Sequence, residues 1–202
     1  MIEALAGTGL AAAAGLNAYI PLLALGLLSR FTDLVALPSG WAWLENGWVL
    51  CILGVLFVVE VIADKVPALD TVNDVIQTAV RPAAGGIVFG SGTAAQTAAI
   101  SEPSQFFASG SWIPVAVGVI VALGVHLAKA GTRVAANTAL AGVAAPVLSV
   151  VEDIVSAVMV VLAIFLPILV LVALAALAAA VVLVIRAARR TASRRREKAA
   201  LP

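Results

Sequence analysis

The chain has a single cysteine, Cys51, and a single histidine, His126. One thiol excludes a disulfide framework, and one thiol with one imidazole cannot supply an ordinary zinc site. Charge is scarce too: only 11% of the 202 residues are Asp, Glu, Lys or Arg, against about a quarter in soluble domains. Aromatic residues make up 5%, and strand-like alternation of apolar and polar positions is absent, which argues against a membrane barrel. The chain has no glycine-rich loop ending in Lys and Ser or Thr, no GxSxG elbow and no HExxH helix. These absences make an enzyme the less favoured class.

What is present is apolar. Hydrophobic residues form 63% of the chain and the mean hydropathy is +1.13, the composition of an integral membrane protein whose longer runs approach the roughly 20 residues a spanning helix needs. Five runs stand out, at about 5–28, 48–63, 83–100, 112–130 and 154–185. The first lacks the basic start of a secretory signal and is read as a retained helix. Trp41, Trp43 and Trp48 between the first two runs predict a segment at headgroup level. The third run carries Gly85, Gly86, Gly90 and Gly92 with Ser and Thr; it is read as tightly packed in a bundle, the alternative being backbone unwound along a cavity. The last run, about 32 residues without a charge, must tilt, kink or project, with Pro167 as the kink point. Residues 131–153, broken by Gly142 and Pro146, fit a half-membrane or interfacial helix. Gly15, Asn17 and Pro21 mark a similar break in the first run.

The predicted fold is thus all-α: a polytopic helical membrane protein of about five transmembrane helices, one or two of them broken or half-membrane. A candidate internal repeat links WVLCILGVLFVVEVIADKV with WIPVAVGVIVALGVHLAKAG, mostly by composition. Residues 1–187 form one membrane domain, and 188–202 a basic tail expected to be disordered. Seven of the twelve Lys and Arg fall in the last seventeen positions, a topology signal that places the C-terminus in the cytoplasm and meets anionic lipid. No nucleic-acid partner is expected.

Three polar constellations interrupt the apolar background. In EVIADKVPALDTVND, Glu60 and Asp64 share one helical face, and Asp70 and Asp74 recur after Pro67 with Asn73, Gln77 and Arg81. Carboxylates so close bind a cation, pair with a base or share a proton; Glu60, Asp64, Asp70 and Asp74 are therefore the candidate cation or metal ligands. His126, Lys129, Arg133 and Asn137 form one stripe on a helix, at a depth where ionisable groups face the protein interior. In SVVED, Asp153 reads as a helix N-terminal cap, whereas Glu152 is the better partner for Lys129 or Arg133. The bland alternatives are surface salt bridges through Lys65 and Arg81, and snorkelling of Lys129 and Arg133.

At these motifs the chain resembles a bacterial membrane family known as domain of unknown function 4126. The likeness rests on GLNAYIPLLALGLLSRF, VEVIADKVPALDTVND, RPAAGG, HLAKAGTRVAANT and PVLSVVEDI, and it covers nearly the whole chain apart from the basic tail. It implies a compact helical membrane protein and carries no activity.

The favoured function is a small transporter or channel in the bacterial inner membrane, for a cation or a proton-coupled solute. Its path would run through Glu60, Asp64, Asp70, Asp74, His126, Lys129, Arg133, Asn137, Glu152 and Asp153, with His126 titrating near neutral pH. No cofactor is identified, a bound cation is a candidate, and membrane lipids and a small ion or solute are the expected partners. A homo-oligomer, packed through the glycines of the third run, is a further candidate. The alternatives are transport of an anionic lipid or anion at the basic stripe, and a structural protein whose ion pairs fix helix register.

Overall fold

The computed structural model describes residues 1–65, 67–92, 110–140 and 145–199, except the side chains of 67–71, 137–140, 145 and 192–199. The elements are α1 (Ile2–Leu16), α2 (Tyr19–Phe31), a 3-10 helix (Ser39–Glu45), α3 (Gly47–Ala63), α4 (Pro67–Gly92), α5 (Trp112–Leu140), α6 (Ala145–Phe165) and α7 (Leu169–Ala199). Among the described residues three helices are long and apolar enough to cross a membrane: Trp112–Ala136, Pro146–Phe165 and Leu169–Thr191. The 3-10 helix and α3, bent by 64°, make a fourth if counted together. The protein is a polytopic helical membrane protein.

The first run is broken as its sequence predicts. A continuous helix would drive the Pro21 ring into the carbonyl of residue 17. Instead Asn17 is extended, at φ −144° and ψ 119°, and its Oδ1 accepts from Tyr19 N at 3.0 Å and Ile20 N at 3.2 Å. Pro21 follows in the first turn of α2, where a missing N–H costs nothing. The two pieces, of 15 and 13 residues, are each about 20 Å long and too short to span.

α1 is nonetheless the centre of the bundle. Every residue from Gly9 to Leu16 is buried, against α4, α5, α6 and α7, because Gly and Ala let neighbouring backbones approach closely. α3 lies at the periphery: of its seventeen residues only Leu50 and Glu60 are buried, and Cys51 is exposed. Trp48 is 80% exposed and Trp43 44%, as suits the headgroup-level segment their spacing predicts.

The structure departs from the sequence reading at α4 and in residues 131–153. The acidic segment after Pro67 and the glycine run are one helix, α4, continuous through Pro82. Its glycines pack inside the protomer: a Cβ on Gly86 would meet Val119 and Val115 of α5, and one on Gly92 would meet Leu10 of α1. The surface assigned to an oligomer contact is therefore consumed within the chain. Residues 131–140 continue α5, and α6 begins at Ala145, so among the described residues 131–153 belongs to these two long helices and not to a separate half-helix. At Pro167, the expected kink point, the long last run divides into α6 and α7. Positions 148–155 and 174–184 line one cavity, so these two helices lie side by side. The basic segment continues α7 to Ala199.

The two Trp-led runs of the candidate repeat also end differently. α3 stops at Ala63, whereas α5 passes through His126 without a break.

Candidate functional site

Glu60 stands one turn from the end of α3, and Asp64 is its C-terminal cap. Arg81 lies on α4, His126, Lys129 and Arg133 on α5, and Glu152 on α6. All seven are buried, and they meet in one network. Isolated charges at this depth are very costly, so the chain folds only if each finds its partner.

The larger part is a closed square. Arg133 Nη2 donates to Asp64 Oδ2 at 3.0 Å and to Glu152 Oε2 at 2.6 Å, and its Nε reaches Glu152 Oε2 at 3.1 Å. Lys129 Nζ lies 3.0 Å from Glu152 Oε2 and 3.6 Å from Asp64 Oδ2. Each base thus touches both acids. Lys129 also donates to the carbonyl of Leu16 at 2.9 Å, the last residue of α1, where the helix dipole favours a cation. Asn73 closes the other side of Asp64 at 2.7 Å.

The smaller part couples α3 to α5 through α4. Arg81 Nη2 donates to Glu60 Oε1 at 2.9 Å, and Nη1 lies 3.1 Å from His126 Nδ1. A guanidinium only donates, so Nδ1 must accept. The imidazole is then neutral with its proton on Nε2, which donates to Thr78 Oγ1 at 3.0 Å; Thr78 Oγ1 in turn donates to Asp74 O at 2.8 Å. Nitrogen NMR of His126 is expected to show a protonated Nε2 and a bare Nδ1 at neutral pH. A protonated Nδ1 would contradict the Arg81 contact.

Three acids, Glu60, Asp64 and Glu152, face three bases, Arg81, Lys129 and Arg133, so the network is neutral as a whole. Glu60 Oε2, Gln77 Oε1, Arg81 Nε and Asp74 Oδ1 are buried without a hydrogen-bond partner among the described residues. Unused donors and acceptors at such depth are rare in folded proteins and mark a polar spot able to take further hydrogen bonds.

The remaining sequence candidates fall as follows. Asp74 is half-buried on α4, outside the square. Asp153 does not cap a helix: α6 begins at Ala145, eight residues earlier, and Asp153 Oδ1 accepts from Asn17 Nδ2 at 2.9 Å. The side chains of Asp70 and Asn137 lie outside the described residues. Among the described residues no group of three or more His, Cys, Asp or Glu could hold a metal ion; Glu60 meets Arg81, and Asp64 meets Lys129 and Arg133. Arg133 and Lys129 point inward rather than snorkelling.

Sequence reasoning missed the Leu16 carbonyl and the bond of Asn17 to α6; it placed Arg81 on these acids only as a surface salt bridge, whereas the pair with Glu60 is buried. The polar Asn four residues before a proline marked the break in the sequence, but nothing local to it named Asp153 as its partner. Asn17→Ala removes both α2 backbone contacts and the Asp153 bond; a loss of about 1–2 kcal/mol is expected in detergent unfolding, the range of a lost helix cap.

The family described as Domain of unknown function (DUF4126) matches residues 4–187. No curated protein and no solved structure matches the chain.

Proposed function

Starting from the premise that the chain belongs to the DUF4126 family, a domain of unknown function, we propose that it is a small membrane transporter that couples solute movement to protons. The observation that carries this reading is the break at Asn17. It sets the C-terminal end of α1 against the buried square, with Lys129 bonded to Leu16 O, and ties the joint before α2 to α6 through the bond from Asn17 to Asp153. Discontinuous helices whose ends meet polar groups deep in a bundle are a common construction of transport sites.

The chemistry follows from the shared partners. Asp64 and Glu152 each hold both Lys129 and Arg133, so protonating either acid leaves the square with one excess positive charge. Lys129 then has one carboxylate fewer to balance it and leans further on Leu16 O, so the contact between α5 and α6 beside the end of α1 loosens. The proton is the coupling ion this reading names, because every buried acid of the network already faces a base. A proton arriving at His126 would put two cations about 3 Å apart and drive Arg81 off Nδ1, which links the smaller part to the same exchange.

The membrane in this proposal is the bacterial cytoplasmic membrane, with the C-terminus in the cytoplasm. The basic residues that end α7 support that orientation.

The test is proton movement in liposomes carrying the purified protein and an internal pH dye. Wild-type protein is expected to dissipate an imposed pH gradient, and Asp64→Asn or Glu152→Gln to reduce that rate by about tenfold or more, the equivalent of about 1.4 kcal/mol. A second reading has an observation of its own. The three-to-three charge balance also suits a scaffold whose ion pairs only fix helix register, and that reading expects no movement in any variant.

A further inference from the structure

A cavity of about 520 Å³ lies between α5, α6 and α7, within the roughly 300–1,000 Å³ of small-molecule sites. Its walls are almost wholly aliphatic, and the polar residues lining it are Lys129, Thr132 and Glu152. All three flanking helices are those long and apolar enough to cross a membrane, so the surroundings of the cavity are lipid. At Gly124, on its α5 wall, an added Cβ would meet no atom within 4 Å.

The polar groups differ in what they offer. Thr132 Oγ1 is engaged with Ala128 O at 2.8 Å. Lys129 donates to Leu16 O, lies 3.0 Å from Glu152 Oε2 and pairs with Asp64 at 3.6 Å, and its side chain is 1% exposed. Glu152 is 11% exposed, against 3% for Asp64 and for Arg133. A visitor to this cavity therefore meets one accessible acceptor at the end of an apolar slot.

Charge decides the kind of visitor. Glu152 is already neutralised by Lys129 and Arg133, and Asp64 balances the second base. A cationic or anionic head would remain unpaired against aliphatic walls, which is costly. An uncharged hydroxyl can donate to Glu152 without disturbing the square.

We propose that this cavity binds a long-chain lipid alcohol, its tail between α5, α6 and α7 and its hydroxyl on the Glu152 carboxylate. Calling that molecule the transported solute rests on the transporter reading; the binding site does not.

The experiment measures equilibrium binding of hexadecan-1-ol, hexadecylamine and hexadecanoate to the full chain in nanodiscs, with no pH gradient. Saturable binding of the alcohol is expected, at least about tenfold tighter than either charged analogue. Gly124→Leu places its side chain in the open slot without touching the square; it should fold as wild type and lose alcohol binding. Glu152→Gln leaves the square with an excess positive charge and should shift the preference toward hexadecanoate. Equal or tighter binding of a charged analogue in wild type, undiminished alcohol binding in Gly124→Leu, or no saturable alcohol binding overturns the proposal. Proton movement without alcohol binding would overturn this inference alone, and alcohol binding without proton movement would overturn only the transporter reading.

Discussion

Arg133→Met is expected to lower stability by about 3–5 kcal/mol, the cost of removing one partner from a buried ion pair and leaving the other charge uncompensated. Its guanidinium touches both Asp64 and Glu152, and Lys129 alone cannot neutralise two carboxylates. Methionine keeps much of the volume, so the loss reports charge rather than a cavity. Adding Glu152→Gln to the same chain restores neutrality, with Lys129 left to pair with Asp64. The double variant should therefore recover more than half of the lost stability. Thermal unfolding in detergent checks both steps. Equal destabilisation in the single and double variants would mean that packing, not charge balance, holds α5 to α6 here.

Gly85→Val is the second large effect. A Cβ at that position would stand 2.7 Å from Gly118 O and collide with Ala122, both on α5, and backbone cannot yield as a flexible side chain does. Overpacking of this kind costs about 1–3 kcal/mol. Its consequence extends to the site, because Arg81 is one turn away on the same helix and reaches His126 only while α4 lies close to α5. The His126 nitrogen signals should therefore shift along with the melting temperature. Gly54→Val is the control: nothing lies within 4 Å of its added Cβ, and no more than a few tenths of a kcal/mol should change, as for exposed positions generally.

Much of the fold was legible because lipid imposes a simple rule: apolar length makes a span and a proline opposite a polar residue breaks one. That rule gave the break at Asn17 and the position of α5. It failed at α4, where Pro82 interrupts the composition but not the helix. Packing of Gly85 and Gly86 against α5 sustains the helix there, and a packed neighbour is invisible to local reading. At Pro167 it named the break but not its angle, since a charge-free run of 32 residues looks the same whether it kinks or folds back.

The site was legible in part for a related reason. Residues with a charge and no water nearby announce themselves by type, so Glu60, Asp64, His126, Lys129, Arg133 and Glu152 could be named from helical spacing alone. Their pairing could not be. Lys129 ends on a main-chain carbonyl of Leu16, 113 residues away, and Glu60 takes Arg81 rather than a member of the basic stripe. Such pairings depend on which helices cross at one depth, information that spacing within a helix does not contain.

The most direct test of the transport account is proton movement by the charge-matched pair Lys129→Met with Glu152→Gln, set beside wild type in liposomes. The substitution removes one base and one acid from the square, leaves Arg133 on Asp64, and is expected to preserve folding. The account predicts that wild-type protein collapses an imposed pH gradient while the folded double variant behaves as protein-free liposomes do. Equal rates for wild type and the double variant, whether both fast or both at the protein-free level, would contradict it.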